Sequence, residues 1–163
     1  MAMKLMLLII TSFFFSDMLY AQEVYHFDKT AIVNGCSNVA LQKIAVDNQY
    51  EVVVELTIDS IPKFTELDIS KYSKFINIWL NKYKKGNRYI NGICNDAIRY
   101  DPDAKKPDKY LAVHGTFTIT KWNEKEFIIS AELKNVVLEN DTKQTIKLPA
   151  ESFDQLTVGW IGG

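Results

Sequence analysis

The chain has 163 residues, an apolar fraction of 47% and a formal net charge of −1. Near-neutrality without a basic block argues against nucleic acid as a partner, because phosphate binding relies on clustered Lys and Arg. The run Lys82, Lys84, Lys85 with Arg88 is too short for that purpose and reads as a solvated face.

Residues 1–21 begin with Lys4, continue through an apolar stretch over 5–15 and end in polar residues and the small Ala21. That is the layout of a secretory signal peptide, with cleavage expected after Ala21. The apolar part falls short of the roughly 20 residues that cross a bilayer, so no membrane anchor is expected. No cysteine precedes Cys36, which leaves the leader without a thiol for lipid attachment. Residues 22–163 are then expected to form a single β-rich domain, periplasmic or secreted, of a size that one core can stabilise.

Short strands are expected over 24–27, 31–33 and 41–46. Cys36 and Cys94 are the two cysteines, and in an oxidising compartment a Cys36–Cys94 disulfide is expected. Neither a C-x-x-C spacing nor a neighbouring His completes a zinc site around them.

Over 49–59, Tyr50, Val52, Val54, Leu56 and Ile58 alternate with Glu51, Val53, Glu55, Thr57 and Asp59. Period two over that length predicts a half-buried strand. Between 70 and 85 the pattern changes: Tyr72, Phe75, Ile76, Trp79, Leu80 and Tyr83 fall at helical spacing, with Ser70 as N-cap and Gly86 as stop. Isoleucine and asparagine are indifferent helix formers. The spacing outweighs propensity and a short helix is expected near residues 70–85, with a strand over 75–83 as the alternative.

Residues 99–109 hold two prolines and little to bury, so this is an exposed loop carrying Tyr100, Asp101 and Asp103. The pair Asp101-x-Asp103 lacks the further ligands and glycine of a calcium loop, and Lys105, Lys106 and Lys109 neutralise it; no metal is expected.

A long strand follows over 110–122. Leu111, Val113, Phe117 and Ile119 are expected on one face, and Ala112, His114, Thr116, Thr118 and Thr120 on the other, with Trp122 sharing the His114 side. After a turn at 123–126, Phe127, Ile129, Ala131 and Leu133 form the inward face of an antiparallel partner. The apolar phase then slips to Val136 and Leu138, which predicts a β-bulge at Lys134-Asn135. Strands over 145–148 and 156–160 complete a mainly β fold, an antiparallel β-sandwich or alternatively a small barrel.

Only His26 and His114 could serve as a neutral-pH base, and no serine sits in a nucleophile motif. No catalytic residue and no cofactor is expected. Trp79 and Trp160 suit a core, whereas Trp122, at a strand end, suits a surface. The expected function is non-enzymatic recognition of a protein partner in the periplasm or outside the cell, in the manner of immunity or inhibitor proteins. Trp122, His114, Tyr100, Asp101 and Asp103 are the candidate contact residues. A carbohydrate-binding module and a small apolar-ligand carrier are the alternatives.

Overall fold

Wherever apolar and polar residues alternate, the chain runs extended, and these strands pair in sequence order into one antiparallel sheet. The computed structural model describes residues 25–36, 38–47, 49–84 and 106–158. The leader, Cys94, Tyr100, Asp101, Asp103 and Trp160 lie outside the described residues, so the expectations made for them do too.

The strands are β1 (Phe27–Cys36), β2 (Asn38–Ala45), β3 (Tyr50–Leu56), β4 (Leu67–Asp68), β5 (Ile76–Lys82), β6 (Asp108–Asn123), β7 (Ile128–Glu139), β8 (Thr145–Lys147) and β9 (Glu151–Thr157). They follow the order β1-β2-β3-β5-β6-β7-β8, with β4 on β6 and β9 on β7. Strands β6 and β7 are the longest, 16 and 12 residues. One edge of β6 carries β5 and then β4, and one edge of β7 carries β8 and then β9. Strand β9 comes back beside β1, so the sheet curls into a nearly closed barrel. The mainly antiparallel β expectation holds.

The inward face is apolar on every strand from β2 onward that reaches the core: Val39 and Leu41, Val52 and Val54, Ile76 and Ile78, Phe117 and Ile119, Ile129 and Leu133, and Phe153. Phe117 and Phe153, the largest fully buried side chains, fill the interior. Strand β3 departs from the half-buried expectation. Glu51 and Val53, on its supposedly wet face, are 4% and 1% exposed, so both faces of this strand are covered.

The helix expected near residues 70–85 does not form. Single turns close at Asp68–Tyr72 and Tyr72–Ile76, where the amides of Tyr72 and Ile76 donate to carbonyls four residues back, and they do not propagate. Ser70 donates its amide and hydroxyl to the Asp68 carboxylate rather than capping a helix. From Ile76 the chain pairs with β3 along its whole length, Ile76 opposite Leu56 through to Lys82 opposite Tyr50. Burial of Ile76, Ile78 and Leu80 against the core through β-type alternation outweighs the helical spacing, since isolated helical turns are unstable without an apolar face to pack. Trp79 consequently stands on the outer face, opposite Val53 and Leu111, with the Lys109 ammonium 4.5 Å above its ring.

Other boundaries moved less. Strand β1 begins only at Phe27, the last residue of the strand expected over 24–27, and runs through the one expected over 31–33, and the last strand of the described residues begins at Glu151 rather than at 156. Strand β3 ends at Leu56, and a 3-10 turn, Ile58–Ser60, keeps Ile58 buried.

The predicted bulge at Lys134-Asn135 is present. Thr116 faces Lys134 while His114 faces Val137, and Asn135 takes a left-handed backbone with φ 54°. Opposite it Gly115 has φ 126°, and a Cβ there would lie 2.8 Å from the Cα of Val136. A second irregularity between Ala112 and His114 exchanges the faces at the start of β6. Ala112 packs against the core and Leu111 is 45% exposed, the reverse of the expected phase.

One ion pair lies inside the barrel where β2 approaches β9. The Lys43 Nζ donates to Glu151 Oε2 at 2.8 Å, with side chains 8% and 11% exposed, and lies 5.4 Å from the centre of the Phe153 ring. Each charge is tolerable in this setting because the other is present.

Gly115→Ala is expected to destabilise the fold by about 2 kcal/mol or more, from the disallowed backbone and the clash with Val136 together. A lower denaturation midpoint in urea checks it. Lys43→Ala should cost about 3–5 kcal/mol by leaving Glu151 buried and unpaired. The double variant Lys43→Met with Glu151→Leu should recover most of that loss in the same measurement, and equal stability of the single and double variants would contradict the pairing.

Candidate functional site

Of the expected contact residues, His114 and Trp122 lie among the described residues, and they sit on opposite faces of β6. His114 is exposed on the outer face of β6, opposite Val137. Thr116 and Thr118 share that face with it. A third irregularity, between Ile119 and Lys121, shifts the phase again, so Trp122 lies opposite the fully buried Ile129. Trp122 is therefore half-buried against the core at the end of the barrel, on the face opposite to His114. The two residues are also about 26 Å apart along the strand at roughly 3.3 Å per residue. The shared face expected for His114 and Trp122 is thus corrected.

What Trp122 does share an end with are Phe64 and Phe127. Phe64 lies in the segment entering β4, on one side of β6, and its amide donates to the Ile119 carbonyl at 3.0 Å. Phe127 closes the β6–β7 turn on the other side of β6. Its carbonyl accepts from the Val158 amide at 2.7 Å. The phenylalanine expected on the inward face of β7 is instead 52% exposed, and Phe64 is 66% exposed.

Both rings are carried by left-handed backbone, φ 61° at Phe64 and 52° at Phe127. The local sequence enforces the second of these. Asn123 Oδ1 accepts from the amides of Lys125 and Glu126 at 3.1 and 3.2 Å, and its Nδ2 donates to Glu126 Oε2 at 2.8 Å, which winds a tight turn. To return to β7 the last turn residue must cross to positive φ, a position that glycine or asparagine ordinarily occupies. A bulky L-residue there costs about 1–2 kcal/mol. On the other side of β6, Lys63 Nζ donates to the Ile58 carbonyl at 2.7 Å and Ile61 is buried, which anchors the chain just before Phe64. Asn135, also left-handed, needs no such explanation because asparagine tolerates that conformation and lies in a bulge.

No sequence signal marked Phe127 as exposed, because its alternation with Ile129 is in phase with the core. Phe64 could have been noticed as a single aromatic residue in the polar stretch Pro62-Lys-Phe-Thr-Glu66.

A second polar constellation is structural in character. The Glu51 carboxylate accepts from Gln42 Nε2 at 2.7 Å, from Asn81 Nδ2 at 2.5 Å and from the Tyr83 hydroxyl at 2.6 Å, joining β2, β3 and the end of β5. A buried carboxylate held by neutral donors fixes the register of these strands. Nearer the surface, the Ser70 hydroxyl, assisted by its amide and by Lys71, holds the Asp68 carboxyl below its ordinary value against a smaller opposing desolvation. Among the described residues no group of three or more His, Cys, Asp or Glu is placed to hold a metal ion.

No protein family, curated protein or solved structure matches the chain.

Phe127→Gly is expected to raise stability by about 1 kcal/mol, because it relieves the left-handed backbone at a position where the side chain is 52% exposed. Thermal or urea unfolding measures this. A loss of stability of that size would mean that the ring is held by packing rather than displayed.

Proposed function

We propose that this chain is an exported, non-enzymatic binding domain that recognises a protein partner in the periplasm or outside the cell. The contact end is the one bearing Phe64, Trp122 and Phe127. The observation that carries this reading is the pair of exposed phenylalanines, each retained where a smaller residue would relieve the backbone. Backbone strain concentrates at positions kept for function. Exposed aromatic rings on a rigid scaffold are the anchors that dominate protein interfaces, since they bring large area at small entropy cost.

Trp122, half-buried against the core, lies near the end of β6 that leads into the turn carrying Phe127. Its turn also carries charges of both signs, Glu124, Lys125 and Glu126, as the polar rim of an interface does. The signal-peptide layout of residues 1–21 supports the exported address. An immunity- or inhibitor-like role is compatible with such a surface. A carrier for small apolar ligands has less support, because Phe117 and Phe153 occupy the barrel interior at 0% exposure.

The test is capture of binding partners from native envelope extract by the purified exported protein and by a Phe64→Asn, Phe127→Asn variant of equal or greater thermal stability. The expected result is a stoichiometric partner held by the wild type and lost at least tenfold in affinity by the variant. Absence of any stoichiometric partner would count against protein recognition. Equal binding by the variant would remove the function from this end of the barrel.

A further inference from the structure

We draw no further inference here: the strongest candidate, the hollow at the β2–β3 turn lined by Tyr25, His26, Ala45, Val46, Asp47 and Tyr50, carries none, because its two tyrosine rings already pack edge to face against each other with the Lys82 ammonium 5.4 Å from the centre of the Tyr50 ring, and nothing in the structure shows what covers it.

Discussion

The antiparallel pairing of β6 with β7 is the constraint on which the rest of the barrel depends. These two strands are the longest in the described chain, and each carries two shorter strands along its far edge. Their ladder is interrupted in three places, and each interruption reverses which side chains face the core. The interruption at Asn135 brings the Val136 backbone against Gly115, so closely that a methyl group on residue 115 would overlap it. Without that close approach Val136 and Leu138 could not return to the core face after Leu133, and the apolar phase of β7 would be lost halfway along.

Polar groups are arranged so that burial does not oppose closure of the sheet. Lys43 on β2 and Glu151 on β9 meet inside the barrel, at the place where its two ends come together with no continuous ladder between them. An ion pair in that position holds one relative placement of the strands, since displacement by a residue would separate two buried charges. Glu51 acts in a similar way across β2, β3 and β5 by gathering three neutral donors on one carboxylate. Neither constellation has the exposure or the open face that a ligand site requires.

The end of the barrel that we associate with partner recognition is made of pieces remote in sequence. Phe64 reaches it through edge pairing before β4, Trp122 through the shift near Lys121, and Phe127 through the turn wound by Asn123. The backbone is left-handed at both phenylalanines, as it is at the exposed Lys143 and Gln155, while the left-handed position at 135 is filled by an asparagine that accepts it readily. Both phenylalanines lie in short loops whose backbone is tied to the sheet, Phe64 to Ile119 and Phe127 to Val158, which favours a pre-organised contact surface.

Much of the fold was legible because strand alternation is local. The approximate extents of β6 and β7, the start of β3 and the bulge at Lys134-Asn135 follow from the placement of Val, Ile, Leu and Phe alone. The expectation failed where two periods overlapped. Between 70 and 83 the aromatic residues repeat at helical spacing and the isoleucines at strand spacing, and only the availability of β3 as a partner decides for the strand. The site was less legible still. The phase along β6 gave Trp122 to the wrong face, because the irregularity near Thr120 has no mark in residue type, and Phe127 continued the inward alternation of β7 so regularly that nothing set it apart.

The amino-acid sequence by itself thus determined a β-rich domain, the approximate strands and the one bulge that an apolar phase slip announces, since these rest on neighbours in the chain. The choice of strand over helix for 76–82, the pairing of Lys43 with Glu151, and the faces on which Leu111, Trp122 and Phe127 lie were decided only by tertiary structure. Those outcomes depend on which backbone lies alongside and on how closely it approaches, and a pattern of residue types read along one chain does not contain that distance.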